Sequence, residues 1–400
     1  MKRRLVISIV ILGLLPACAD QVAKGPSDQG SGIPGGGTLL VRTLDGLADA
    51  EASTGTVLFN EPAAIASPDR SLVYATSNDG VLRVVDASGG DVLASFAAPE
   101  GTVPIAASQG GLVALIPEGS ASYPQTPEGR SSTPVDIVAT DVGVSQHLDL
   151  EGNFEPEAFS TDGRVLFLIQ YLPAAAPDHY RVMELNLANQ QISRVASPDK
   201  VPPATMQGTR LQQVWAPDQS VLYTLYTNQA SSGAPLTFVH VLDLDGKWAH
   251  CIDLPEPFGS SRPNAKAMVG SADGKHLYVT DADAQRIAMI NTQRLDVETT
   301  ATLTLPSPGN DDSAFASIAP DGILYVSGGP QLSAISIDSM TAGPTWEADS
   351  PILGTRVSED GMILYVAIGD GIQGRDPRTG APLGAIRLPG ATELLDESGP

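Results

Sequence analysis

The sequence predicts an all-β fold in which one four-stranded unit repeats around an axis, and three observations predict it. The first is a phrase made of a small residue, usually an Asp two positions on, then a Leu/Val-Tyr-apolar run. It reads Ser67-Pro68-Asp69 with Val73-Tyr74, Ser160-Thr161-Asp162 with Leu166-Phe167, and Ala216-Pro217-Asp218 with Leu222-Tyr223. It continues as Ser271-Ala272-Asp273 with Leu277-Tyr278, Ala319-Pro320-Asp321 with Leu324-Tyr325, and Ser358-Glu359-Asp360 with Leu364-Tyr365. A degenerate copy is Ala107-Ser108-Gln109 with Val113-Ala114. The second observation is the period: Asp-to-Asp spacings of 56, 55, 48 and 39 residues from Asp162 onward bracket the length of a propeller blade. The third is an Asp or Asn closing the third apolar run of each unit: Asp86, Asp141, Asn186, Asp243, Asn291, Asp338 and Asp376. Seven marked units predict a seven-bladed β-propeller of four-stranded antiparallel blades over residues 38–392.

Within a unit, strand A ends at the small residue and its Asp turn. Strand B follows as a Leu-Tyr-Val run that is apolar on both faces, which suits a sheet packed between two others. Strand C ends at the Asp or Asn, whose short side chain accepts hydrogen bonds from backbone two residues on and so starts a tight turn. Strand D follows, as in Val92-Leu93-Ala94-Ser95-Phe96. Helical repeats of this length would show a 3.6-residue period, and none is present. The small residue recurs where strand A runs nearest the axis and backbones crowd. Residues 38–58 hold two further runs, Leu39-Leu40-Val41 and Thr56-Val57-Leu58, expected to add a strand to the last blade and close the ring. Residues 393–400 read as a tail.

Two resemblances follow from these residues. The segment Ser271-Ala272-Asp273-Gly274-Lys275-His276-Leu277-Tyr278-Val279-Thr280 is similar to the signature of YVTN-type β-propeller repeats. The resemblance covers residues 62–390 and implies the fold, but it leaves function open, because such folds host many functions. At the N-terminus, Lys2, Arg3 and Arg4 precede an apolar run from Leu5 to Leu15 that is too short to span a bilayer. The run ends in Leu15-Pro16-Ala17-Cys18, which resembles the lipobox of bacterial lipoproteins; a plain secretory signal is the alternative. The lipobox implies a signal peptide over 1–17, an acylated Cys18 and attachment to a membrane by lipid. From Ala19 to Gly37 eight of nineteen residues are Gly or Pro, the composition of a flexible tether, so 18–37 read as a linker.

The chain carries a formal charge of −23, and loss of the three cations of the signal would leave −26. Such a body repels phosphate backbones and anionic headgroups, which excludes nucleic acid as a partner and leaves the acyl chains to hold the membrane. If Cys18 carries lipid, Cys251 has no partner for an internal disulfide. His250 cannot assist it, since neighbours on a strand point to opposite faces. The five histidines show no metal-ligand spacing, and neither a nucleophile elbow nor a phosphate loop occurs. Asp281-Ala282-Asp283 and Asp243-Leu244-Asp245-Gly246 read as hairpin turns and not as calcium loops. No cofactor and no metal are expected.

Loop lengths are uneven. The B–C segments Pro117–Thr133, Tyr171–His179 and Thr227–Pro235 are long, and the D–A links Pro198–Gly208 and Pro255–Asn264 fall on the same face. They carry Tyr123, Tyr171, His179, Tyr180, Met206 and Phe258, residue types typical of interface anchors. The expectation is a non-enzymatic envelope protein that binds a protein or glycan through this face. The alternative is a lactonase-like hydrolase or lyase with a site at the axial mouth, where Glu155, Glu157, Arg210, Lys266 and Asp312 are candidates.

Overall fold

Thirty-two strands form eight four-stranded antiparallel sheets in a computed structural model that describes residues 30–120, 128–198, 205–228 and 236–398. The fold is an eight-bladed propeller, which corrects the expected seven blades. Blades 1 to 7 are the marked units, and in each the four strands pair in chain order. The eighth blade is assembled from both termini. Ala391–Ser398 supplies its strand A, and Thr38–Thr43, Gly46–Glu51 and Val57–Pro62 supply strands B, C and D.

The miscount has a physical reason. In the eighth blade strands A and B belong to opposite ends of the chain, so no A–B turn joins them and no turn signature can mark it. Its C–D turn also differs. Glu51 takes the place of the usual Asp or Asn and accepts from Thr54 Oγ1 at 2.6 Å and from Ser53 Oγ at 3.2 Å. The residues read as a C-terminal tail are therefore the closing strand. It pairs with Thr38–Thr43 from Thr38↔Ser398 to Thr43↔Ala391. Ahead of that blade, Gly32 bridges Ala385 of blade 7, and Ile33 is fully buried with its N–H on Ala52 O at 2.7 Å.

The recurring small residue has a role beyond its size. In four blades it is a serine that locks the A–B turn from both sides. Ser67, Ser160, Ser271 and Ser358 donate Oγ–H to Asp69, Asp162, Asp273 and Asp360 at 2.5, 2.6, 2.8 and 2.7 Å. Each Oγ also accepts the backbone N–H five residues on, at 2.9–3.0 Å. In blade 2 Ser108 Oγ accepts the corresponding N–H from Leu112, four residues on, at 2.9 Å, so the turn residue there is Ser108 and not Ala107. In five of the blades the C–D turn closes on an Asx side chain. Asp86 accepts from the N–H groups of Ser88 and Gly89, and Asp376 from those of Arg378 and Thr379.

Apolar side chains on both faces of each sheet fill the eight interfaces between neighbouring blades. Strand B supplies the largest of them, including Tyr74, Phe167 and Tyr365, all fully buried. The interface between blades 3 and 4 departs from this pattern.

Candidate functional site

Blade 4 consists of Thr209–Trp215, Val221–Asn228, Leu236–Asp243 and Trp248–Asp253, and a row of polar residues crosses all four strands in register. Gln213 pairs with Thr224, Thr224 with His240, and His240 with Cys251. Residues directly opposite in a sheet share a face, and this face packs on blade 3. Thr224 and His240 are 1% and 2% exposed, in strands otherwise apolar on both sides.

The axial end of the row meets blade 3, made of Asn153–Phe159, Val165–Leu172, His179–Asn186 and Ile192–Arg194. Glu157 lies in a bulge of the first of these strands, between Pro156 and Ala158, where an unpaired residue re-aims its side chain. Its Oε1 accepts from Gln213 Nε2 at 3.2 Å and stands 4.0 Å from Arg210 Nη1. Arg210 Nη2 donates to Glu155 Oε1 at 2.9 Å, and Tyr171 O–H reaches Glu155 Oε2 at 3.4 Å. The side chains of Glu155 and Glu157 are each 1% exposed. Burial pushes the Glu157 carboxyl up to about 7; Arg210 opposes the shift and Glu155 adds to it. Burial works against the Arg210 charge, but Glu155, Tyr226 and Glu157 outweigh it and raise its pKa. Glu157 Oε2 is enclosed with no hydrogen-bond partner.

Aromatic rings fill the interface outward of this cluster. Tyr180 stacks on Tyr226 at 5.3 Å, Tyr226 on Phe238 at 5.3 Å, and His240 meets Tyr226 edge-on at 6.3 Å. Burial raises the Tyr180 and Tyr226 phenols well above their ordinary range, so both remain protonated. The Tyr180 hydroxyl is buried and unpartnered.

Of the axial candidates, the fold brings together Glu155, Glu157 and Arg210, inside a blade interface and not at an open mouth. Lys266 lies elsewhere. Its Nζ donates to Ser261 O at 2.8 Å and Arg262 O at 3.0 Å and stands 3.6 Å from Asp281 Oδ2, with both side chains fully buried. Asp312 belongs to a neighbouring loop, where its carbonyl accepts from Asn264 Nδ2. Asp283, of the other acidic pair, holds Arg262 at 2.7 Å. These groups tie turns and links of blades 4 to 6 together.

The loop candidates are pegs more than protrusions. Tyr180, Met206 and Phe258 are 5%, 8% and 1% exposed, which corrects the expectation that they stand out from the loops. Tyr180 and Met206 exchange two backbone hydrogen bonds, at 2.9 and 2.7 Å, and so anchor the D–A link. The Phe258 carbonyl accepts from Thr237 Oγ1 at 2.8 Å. Tyr171 is half-buried against Tyr180, and His179 is half-buried beside Asp178. Tyr123 and Cys18 lie outside the described residues.

The sequence reading missed the clamp between the long loops of blades 2 and 3. Asn153, fully buried, donates to Glu128 O at 2.9 Å and Ala174 O at 3.3 Å and accepts from Arg130 Nε at 2.8 Å. Arg130 N–H reaches Ala174 O at 2.9 Å. Among the described residues this platform exposes the acids Glu118, Glu128, Asp178, Asp253 and Glu256, with Arg194 exposed at the end of blade 3 strand D. None of these acids forms an ion pair with Lys or Arg among the described residues, and the nearby Arg130 and Arg262 are turned to internal acceptors. The missed signal was an Asn opening a strand A and a His inside an apolar strand.

No known protein-family pattern matches the chain, and no curated protein matches it in sequence. Solved structures match it in fold. The chain is similar to the dihydro-heme d1 dehydrogenase NirN in complex with DHE, with a TM-score of 0.53 and 14% identity over 90% of this chain and 74% of that one. It is also similar to apo AztD from Citrobacter koseri, with a TM-score of 0.53 and 12% identity over 91% and 98% of the two chains. At such identities the likeness is one of fold: both are β-propeller relatives in architecture.

Proposed function

We propose that the chain is a lipid-anchored envelope propeller of the YVTN-repeat kind, without enzymatic activity. It binds a protein partner through the loop platform of blades 2 to 4. The observation that carries this reading is the Asn153–Arg130 clamp, together with the Tyr180–Met206 pair. Loops held this way lose little entropy on binding, which is the advantage of a pre-organised surface. The platform acids, none of them paired with Lys or Arg among the described residues, favour a partner with a basic contact face, since complementary charge sets on-rate and specificity. The axial cluster supports the enzyme alternative less well. Its Arg210 is already bound to Glu155 inside a buried blade interface.

The test is capture from intact envelopes with Glu118→Lys, Glu128→Lys and Asp178→Lys combined. Capture should fall at least tenfold while the thermal midpoint shifts little, because exposed positions contribute little to packing. Recovery of a glycan with no protein would replace the partner class, and unchanged capture would remove the platform from the account. The anchor is tested separately: Cys18→Ser should move the protein from the membrane to the soluble fraction. Retention with no acyl mass on the N-terminal peptide would contradict it.

A further inference from the structure

We propose that Cys251, His240 and Met206 form a binding site for one thiophilic monovalent cation, Cu(I), in the cavity between the outer strands of blades 3 and 4. The cavity has a volume of about 420 Å³, and its walls include Val182, Met206, Phe238, His240, Ala249 and Cys251. It is independent of the loop platform's partner and of the Glu155–Arg210 cluster.

Sheet register makes the pairing that the sequence hides. His250, the neighbour of Cys251 in the chain, points to the other face. His240 is ten residues away in the chain but stands directly opposite Cys251 on the adjacent strand. Directly opposite residues have Cβ atoms about 4.5–5.5 Å apart, a separation that lets one ion bridge an imidazole nitrogen and a thiolate. Met206 enters the same cavity from the D–A link, where its backbone is fixed to Tyr180 by two hydrogen bonds.

The donor set selects the ion. Thiolate and thioether sulfurs are soft ligands that favour Cu(I), and imidazole suits copper as well. Among the described residues no group of three or more His, Cys, Asp or Glu stands together, and the third donor proposed is the Met206 thioether, which lines the same cavity. A thioether serves Cu(I) and is a poor ligand for Mg²⁺ or Ca²⁺. On binding, the Cys251 thiol releases its proton to solvent as the copper–sulfur bond forms, so ion and thiolate cancel and no net charge is buried. Affinity therefore rises with pH. Phe238, Val182 and Ala249 line the cavity together with the charged side chains of Arg181, Arg194 and Asp253, so the wall around the donors is mixed. The Tyr180 phenol, 5% exposed and without a hydrogen-bond partner, stacks on Tyr226 in the same interface.

The experiment uses the full chain with Cys18→Ser, which leaves Cys251 as its one thiol. Cu(I) is supplied as its bicinchoninate complex under anaerobic, reducing conditions. One equivalent should be withdrawn from the chelator, and iodoacetamide alkylation of Cys251 should slow when copper is present. Cys251→Ser and Met206→Leu should each weaken retention by more than the roughly 10–100-fold that outer-shell changes cost. Met206→Leu nearly conserves volume and keeps the interface packed, so it decides the matter if Cys251→Ser fails to fold. Withdrawal of no copper, equal retention by Met206→Leu, or equally tight retention of Zn(II) would overturn the proposal.

Discussion

At Glu157 a buried carboxyl is held between Arg210 and Gln213 with one oxygen unmet. Its folded-state pKa, about 7, lies above the ordinary value of 4.5. Between those values the folded chain holds a proton that the unfolded chain has lost, so this group's contribution to stability falls as pH rises through that window. The turn acids act in the opposite sense. Serine hydroxyls hold Asp162 and Asp360 below the carboxylate range, and their contribution is lost on acidification. Glu157→Gln imitates the protonated form. Its thermal midpoint should match that of the parent near pH 5 and exceed it near pH 8. A constant offset across that range would show that Glu157 does not titrate there.

At the scale of elements, the clamp between two B–C loops depends on one side chain. Asn153→Ala would leave the Glu128 and Ala174 carbonyls and the Arg130 guanidinium short of a partner, at a cost of about 1–3 kcal/mol. Amide exchange at Arg130, whose N–H bonds Ala174 O, should quicken with it. Exchange unchanged within error would mean that the loops hold their shape without the clamp. Turns of this kind explain what the sequence made legible. The Ser-x-Asp and Asx turns are local, made within five residues, so spacing alone reveals them and places the long loops on one face. Contacts between distant strands leave no such trace. Asn153, the His240–Cys251 pair and the Glu155–Arg210 bond join residues set by register or by the docking of two blades. Aromatic loop residues were legible as anchors, but not as anchors turned inward: Tyr180, on strand C, and Phe258, in a 3-10 turn, are both buried in interfaces that only the assembled ring creates.

At the scale of the whole molecule, closure and charge set how the propeller works. The chain ends meet in one blade, so the ring is shut by pairing Ala391–Ser398 with Thr38–Thr43. This is also why the blade count exceeded the marker count. On the turn face, several acids are bound to backbone N–H groups or to Lys247 and Lys275. On the loop face, Glu118, Glu128 and Glu256 are exposed and none is paired with Lys or Arg among the described residues. Recognition through the loop face is the proposal that a photo-crosslinking residue tests most directly. It is placed at Ala175, exposed in the B–C loop of blade 3, or at Ala188, exposed in the C–D turn of the same blade, and irradiated in intact envelopes. The account predicts a discrete protein adduct from position 175 and none from 188; adducts from 188 alone would contradict it.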